Sequence, residues 1–328
     1  MGFWQGRKVL VTGGAGFIGS YLTEYLVQDG AEVTVVDNLE RGRIANLSQV
    51  LGDIRFIQGD LRDLTVCEMC CAGQELVLNL AAKVTGIEYN IHHNADMFTQ
   101  NAMILTHMIE AAHRRGVGRY LLTSTACIYP HDAIVPTPET EGERGEPEPT
   151  NAGYGWAKRI AERQALWYAQ ETEMEIVIVR PFNAYGLRDH YEEKTSHVIP
   201  ALIKRVLDGD NPIVVWGSGN QTRVFVHARD FAKGIQLVAE HATDSYPVNV
   251  GHDEEISIRA LLEKILQLTG HEDREVFYDL SRPEGYPRRA ADTTRLKQVT
   301  GGFVPQTSLE EGLREMISLY RPEVDAEY

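Results

Sequence analysis

A doubly wound, parallel α/β sheet with a smaller C-terminal lobe is the fold this sequence predicts, and three observations predict it. Short apolar runs alternate with stretches of helical periodicity as far as about Val179. A glycine-rich turn joins the first of these strands to the first of these helices. Past Gly186 the pattern changes to helices separated by short strands. Regular strand–helix alternation is the signature of parallel strands joined by crossover helices, and its loss marks a second lobe.

The elements follow in order. Lys8 to Thr12 is a short apolar strand, and Phe17 to Asp29 keeps helical spacing until Gly30, the residue type that a helix C-terminus favours. Glu32 to Asp37 is the second strand. Arg55 to Gln58, Leu76 to Leu80, Tyr120 to Thr123 and Ile176 to Val179 continue the sheet, with helices at Asn101 to Arg115 and Ala157 to Glu171. His131 to Asn151 is rich in Pro, Glu and Gly and is predicted to be an irregular acidic loop near the mouth of the site. Beyond it, helices at Ser196 to Asp208 and Ser257 to Thr269 flank a strand at Ile213 to Trp216. Pro322 to Tyr328 is expected to fray.

At 328 residues the chain buries a core without disulfides or metals. A formal charge of -15 repels nucleic acid and argues against a phosphate-backbone interface. No signal peptide opens the chain and no apolar run approaches the roughly 18 residues of a membrane span, so the expectation is a cytoplasmic protein. Cys67, Cys70 and Cys71 lack a second Cys or His pair at metal spacing and read as part of a reduced helix, with no metal site.

The glycine-rich turn, Val9-Leu10-Val11-Thr12-Gly13-Gly14-Ala15-Gly16-Phe17-Ile18-Gly19, follows a strand and opens a helix. In that context Gly13, Gly16 and Gly19 give a tight turn and close backbone approach to a pyrophosphate at the N-terminus carried by Phe17 and Ile18. This is the Rossmann-like dinucleotide fingerprint. Asp37, with Asn38 after it, ends the second strand where a carboxylate meets the adenosine ribose hydroxyls, which favours NAD over NADP. A 2′-phosphate ~4 Å from that carboxylate costs about 1 kcal/mol in water and roughly 4 kcal/mol where partly desolvated, although Arg41 and Arg43 offset some of it. Asp60 and Leu61 sit where the adenine is expected, with a plain turn as the alternative for Asp60. Ala81, Ala82 and Lys83 follow the strand that the cofactor crosses. Residues 1–180 are accordingly read as the NAD-binding domain and 181–328 mainly as a substrate-binding lobe.

Tyr154 and Lys158 stand four apart, on one helix face. A phenol of ordinary pKa near 10 is a poor base at neutral pH, but an ammonium and a cationic nicotinamide beside it favour the phenolate. Tyr154 then takes a hydroxyl proton while hydride leaves the same carbon, and Thr125 or Ser124 holds that hydroxyl. Cys127, in Thr123-Ser124-Thr125-Ala126-Cys127-Ile128-Tyr129-Pro130, adds a thiol that can move a carbon-bound proton. Together these groups point to epimerisation of a sugar through a keto intermediate.

These residues resemble the extended short-chain dehydrogenase/reductases, the nucleotide-sugar epimerases and dehydratases, over nearly the whole chain. The resemblance is closest to the members that act on GDP-sugars. It is carried by Ala82-Lys83-Val84-Thr85-Gly86-Ile87, the segment ending Cys-Ile-Tyr-Pro, Glu148-Pro149-Thr150-Asn151, Ser196-His197-Val198-Ile199-Pro200-Ala201-Leu202 and Val214-Val215-Trp216-Gly217-Ser218-Gly219. It implies that Cys127 and His197 form the acid/base pair inverting C3 and C5 of a 4-keto sugar, with tightly bound NAD. Inversion needs one group to remove a proton from one face and another to return it on the opposite face. The dehydratases carry an acidic pair where this chain has Ala126-Cys127, which argues against dehydration. The NADPH-using epimerase/reductases differ from it in the cofactor loop, and a plain 4-epimerase, with Cys127 a bystander, is the runner-up. The resemblance also implies phosphate-binding roles for Arg223 and Arg289, with Asn183 and Arg205 as weaker substrate candidates, and a homodimer in which the helices 101–115 and 157–171 pair with their copies in a four-helix bundle.

Overall fold

The computed structural model describes residues 2–191, 197–282 and 285–320. Six strands of the main sheet come first: β1 (Lys8–Thr12), β2 (Glu32–Asp37), β3 (Ile54–Gln58), β4 (Leu76–Asn79), β5 (Arg119–Thr123) and β6 (Glu175–Pro181). Five short strands follow, β7 (Ala184–Tyr185), β8 (Ile213–Trp216), β9 (Thr222–Val224), β10 (Val226–His227) and β11 (Val248–Val250), then β12 (Glu255–Ser257), β13 (Val276–Asp279) and β14 (Arg288–Arg289). The helices are α1 (Phe17–Gln28), α2 (Leu64–Cys71), α3 (Ile87–His92), α4 (Asn94–Arg114), α5 (Ala152–Glu171), α6 (Val198–Asp208), α7 (Ala228–His241), α8 (Ile258–Thr269), α9 (Thr294–Thr300) and α10 (Leu309–Leu319).

The parallel sheet runs β11-β6-β5-β4-β1-β2-β3. Its order reverses between β1 and β4, and crevices outside the carboxyl ends of strands at such a switch point are where open α/β sheets bind ligands. Side chains alternate along each strand and so feed two cores. Val9 and Val11 pack with Leu22, Leu26, Phe231 and Ile235 of α1 and α7. Leu10 packs on the other face with Leu105, Met108, Ala161 and the α2 cysteines. Cys67, Cys70 and Cys71 are buried there, and burial pushes their thiols up, Cys70 to about 11 and Cys71 to about 12. A third cluster, with Ile199, Leu202, Leu261, Ile265 and Leu313, joins α6, α8 and α10 in the second lobe.

The doubly wound sheet expected from the sequence is present, with three differences of detail. Part of the chain beyond residue 180 returns to the main sheet: α7 packs beside α1, and β11 pairs with β6. Without β11, β6 would leave an unpaired sheet edge. Secondly, α4 and α5 begin at Asn94 and Ala152 rather than Asn101 and Ala157, which places Tyr154 inside a helix. Finally, Ser257 is the N-cap of α8, its hydroxyl accepting from the Ala260 amide at 3.1 Å. Ser196, the expected start of the preceding helix, and Pro322 to Tyr328 lie outside the described residues. Among those described, no helix is long and apolar enough to cross a membrane.

A buried ion pair ties α5 to the sheet. Arg180 of β6 donates to both oxygens of Glu162 (3.0 and 2.7 Å), and its remaining nitrogen reaches the Tyr129 hydroxyl (3.1 Å) and the Glu139 carbonyl (2.6 Å). Glu162→Ala strands the guanidinium in the interior, and urea unfolding should report a loss of about 3–5 kcal/mol.

Candidate active site

The loop from Gly13 to Gly16 closes on itself through the Gly16 amide and the Gly13 carbonyl (3.1 Å), and α1 starts directly after it. A Cβ on Gly19 would stand 2.2 Å from the Gly13 oxygen, so the first turn lies this close under the loop only with glycine there. Gly16 brings no side chain to cap the helix, and the first turn holds no acidic residue. The amides at Phe17 and Ile18 therefore meet no competing side-chain acceptor, an arrangement that fits a pyrophosphate. Asp37 lies at the rim. Its oxygens accept from the amides of Ala15 (3.1 Å) and Leu39 (2.9 Å), and burial pushes its pKa up against those two hydrogen bonds. Each oxygen keeps a lone pair that suits a ribose hydroxyl.

The other expected cofactor residues divide. Asn38 folds back on Glu40, its side-chain oxygen accepting from the Glu40 amide at 3.0 Å. Asp60 is held by Arg62, which takes both carboxylate oxygens and lowers its pKa, and its Oδ1 also accepts from the Arg62 amide. Leu61 is buried in the core on the α2 side of the sheet. Ala81 and Leu80 donate their amides to the Thr12 hydroxyl (3.0 and 3.1 Å), which in turn donates to Asn79 (2.6 Å), and Asn79 donates to Tyr120 (2.6 Å). This polar chain sets the switch-point edge. Lys83 is pinned by Asp96 (2.6 Å), and its backbone by Asn101.

At the end of β5 the structure brings Tyr154, Lys158, Thr125 and Cys127 together. A Cβ on Gly155 would lie 2.7 Å from the Cys127 carbonyl oxygen, so glycine after Tyr154 lets α5 rest on the Cys127 turn. Lys158 lies with its nitrogen 5.6 Å from the centre of the Tyr154 ring and donates to the Thr123 carbonyl at 2.6 Å. The Thr125 hydroxyl accepts from the Cys127 amide at 3.2 Å. Cys127 is half-buried and belongs to none of the apolar clusters; its neighbours are Thr125, Glu148 and Arg289. Ser124 is buried beside it with a hydroxyl that has no hydrogen-bond partner, a polar atom of the kind that a ligand satisfies.

Burial sets the charge state. It pulls Lys158 down to about 7, with Glu162 one turn on opposing, and it pushes Tyr154 well above the ordinary phenol range. Lys158 thus contributes less to ionising the phenol than the spacing alone predicts. Burial also lifts Cys127 to about 11, with Glu148 adding to the rise and Arg289 opposing it.

His197 stands at the N-cap of α6 but makes no cap; its Nδ1 faces the buried Asp189 carboxylate at 2.9 Å, which raises its pKa. With Nδ1 donating to Asp189, Nε2 is the free nitrogen. Among the described residues no hydrogen bond or ion pair joins His197 to Cys127. Arg289 pairs with the buried Glu148 (2.5 Å) and lies over the Tyr286 ring, its carbon 4.6 Å from the centroid. Arg223 donates to the Thr222 and Tyr286 carbonyls, both at 2.7 Å. Asn183 and Arg205 are instead engaged by backbone carbonyls, of Val224 (2.9 Å) and Val214 (2.5 Å), and act as struts of the second lobe.

Three participants carry no role in the sequence reading. Glu162 had a signal, its spacing of four from Lys158. Glu148 lies in the acidic loop and in a stretch that carries the resemblance, neither of which singles it out, and Asp189 gives no sequence signal because the fold alone brings it to His197.

Residues 9–251 match the model of the NAD dependent epimerase/dehydratase family. The GDP-L-fucose synthase of Escherichia coli K12 is 33% identical over 320 residues, 94% of each chain. Among solved structures, the UDP-glucose 4-epimerase of Thermotoga maritima with UDP-glucose superposes with a TM-score of 0.85 at 28% identity, covering 94% of this chain and 97% of that one. A dTDP-glucose 4,6-dehydratase double mutant from Streptomyces venezuelae with NAD bound gives 0.84 at 27% identity, over 97% and 98%.

Two outcomes follow from this geometry. Gly19→Ala should leave a folded protein whose affinity for NAD, measured by titration calorimetry, falls at least about 100-fold, because the turn has to open to admit the methyl group. The second concerns pH. A lysine whose folded pKa is lowered to about 7 binds fewer protons folded than unfolded up to its ordinary pKa of about 10.5, so its effect on stability becomes more favourable as pH rises through that window. Lys158→Met should therefore be more stable than the parent at pH 7, with the advantage shrinking by on the order of 2 kcal/mol by pH 9 in urea titrations.

Proposed function

Since the chain belongs to the NAD-dependent epimerase/dehydratase family, we propose that it epimerises a nucleotide-diphosphate sugar through a 4-keto intermediate, acting on a GDP-sugar with inversion at C3, C5 or both. The observation that carries this reading is the Cys127 turn lying against the start of the helix that bears Tyr154: a Cβ on Gly155 would stand 2.7 Å from the Cys127 carbonyl oxygen, and the Cys127 amide donates to the Thr125 hydroxyl at 3.2 Å. A buried core cysteine would have no such surroundings.

Bound NAD supplies the hydride acceptor and donor at C4. Tyr154 takes the proton of the C4 hydroxyl, and Thr125 and Ser124 hold that oxygen. The keto group acidifies the neighbouring C–H bonds, and Cys127 and His197 then exchange protons on opposite faces. The Asp189 carboxylate supports the role of His197 by fixing its tautomer. Arg223 and Arg289 are assigned to the diphosphate, since guanidinium groups bind such oxygens in pairs. Asp37 supports tightly held NAD in preference to NADP, as its buried carboxylate leaves a 2′-phosphate facing like charge.

Two relatives favour particular second readings. The likeness to a UDP-glucose 4-epimerase favours inversion at C4, and the likeness to a GDP-L-fucose synthase favours an epimerase that ends in a reduction. A cytoplasmic homodimer completes the proposal. Met103 of α4 and Ile160 and Trp167 of α5 are large apolar side chains left exposed on the two longest helices, which supports a four-helix bundle between copies.

The test is incubation with GDP-mannose, and in parallel with UDP-glucose and UDP-glucuronate, in deuterated water with no added cofactor. Deuterium should enter C3 or C5 of the GDP-sugar, and Cys127→Ser should lower that exchange by about 100-fold or more while bound NAD is still reduced. Isomerisation without deuterium would replace the proposal by inversion at C4, and stoichiometric consumption of added NADPH would replace it by a reductase.

A further inference from the structure

We propose that Arg41 is a latch over the cofactor: its guanidinium ties the loop after β2 to the loop after β4 across the glycine turn, and NAD enters and leaves when this tie parts. The inference rests on NAD lying at the switch point of the sheet, and it adds the side chain that gates the exchange.

The sheet order places β1 between β4 and β2, and the register sets Asn79, Thr12 and Val36 side by side. The loops that leave β4 and β2 are therefore two strand spacings, about 10 Å, apart, with the glycine turn between them. A dinucleotide that offers its ribose to Asp37 and its pyrophosphate to the glycine turn has to lie along this row. The loop after β2 folds back over the middle of it. Leu39 takes a φ of 62°, a left-handed conformation that a leucine adopts only under constraint, while its amide donates to Asp37 (2.9 Å). A Cβ on Gly42 would stand 2.7 Å from both Asp37 carboxylate oxygens, so the chain passes directly against the carboxylate. The Arg43 amide (3.0 Å) and the Asn46 side-chain amide (2.9 Å) then moor the loop on the Ala15 carbonyl of the glycine turn.

Arg41 lies at the tip of this loop, half-buried, and its Nη1 donates to the Val84 carbonyl at 2.9 Å. The far mooring is equally fixed. The Lys83 amide donates to the buried Asn101 of α4 (3.0 Å), which donates back to the Lys83 carbonyl (3.1 Å), and the Lys83 ammonium holds Asp96 (2.6 Å). The bond thus joins two anchored walls of the crevice. Because the loop is pinned at Asp37 and at Ala15, opening falls to its tip, and the tip is what Arg41 holds. A charged donor makes this bond stronger than a neutral one, and it breaks without unfolding either mooring.

Exchange of radiolabelled NAD, preloaded on the purified protein, for an excess of unlabelled NAD gives the rate of release, and equilibrium dialysis with the same label gives the affinity. Arg41→Met, which keeps the apolar stem and loses the donors, should release NAD at least about tenfold faster than the parent. Its affinity should fall by less than that factor, because a gate speeds entry as well as exit. Arg41→Lys should stay within about threefold of the parent rate, since an ammonium still donates to a carbonyl. Arg41→Gln, too short to reach across, decides the matter if the Arg41→Met protein does not fold. An unchanged release rate would overturn the inference. So would a fall in affinity as large as the gain in release rate, which would make Arg41 a direct contact of the cofactor. A parent protein that takes up no label would sink the NAD reading itself, whereas a parent that holds NAD while Arg41→Met releases it no faster sinks the latch alone.

Discussion

The site depends on α5 lying directly against the end of β5. Four contacts hold it there: Gly155 under the Cys127 carbonyl, Lys158 on the Thr123 carbonyl, Arg159 on the Ile128 carbonyl and Glu162 on Arg180. They fall between Gly155 and Glu162 on one helix, so phenol, amine and structural ion pair are set by a single docking event. The strand end supplies the other half, because its carbonyls turn toward the helix once the sheet pairing stops at Thr123. Thr125 and Cys127 are thereby presented to Tyr154, with the Cys127 turn resting on the helix at Gly155. A shift of the helix by even half a turn would separate all three.

The same closeness explains why burial governs the charges. An amine, a phenol and a thiol are packed into a small volume whose permanent ions are Glu148 paired with Arg289 and Glu162 paired with Arg180. Each of the three is pushed toward its neutral form. A neutral site is suited to chemistry that begins with a proton on the donor and an empty acceptor, since charge then appears only as the reaction proceeds and meets groups already oriented toward it.

Most of the sheet was legible because its signal is local. Apolar runs and the glycine turn are properties of neighbours in sequence, and β1, β2 and β8 begin and end at the residues their patterns indicate. Tyr154, Lys158, Thr125 and Cys127 were legible for a similar reason, as they lie on one strand end and one helix start. The starts of α4 and α5 were misplaced because their N-cap residues, His93 and Asn151, form no side-chain cap. The return of β11 to the sheet was not legible, since three residues carry no periodicity and their place is decided by the open edge of β6. Asp189, Glu162 and Glu148 escaped because their partners lie up to 141 positions away, and a carboxylate in sequence does not reveal which cation the fold delivers to it.

That last pairing has a consequence for how the two lobes cooperate. Arg289 arrives on β14, a two-residue strand that pairs with β9 beside Arg223, so the cation facing Cys127 belongs to the lobe assigned here to the sugar nucleotide. His197 comes from the same half of the chain, on the start of α6. On the proposed function, the parallel sheet supplies Tyr154, Lys158, Thr125 and Cys127, while His197 and Arg289 come from the second half of the chain. A single guanidinium cannot serve a carboxylate, a sulfur and a diphosphate equally, because its five N–H donors lie in one plane.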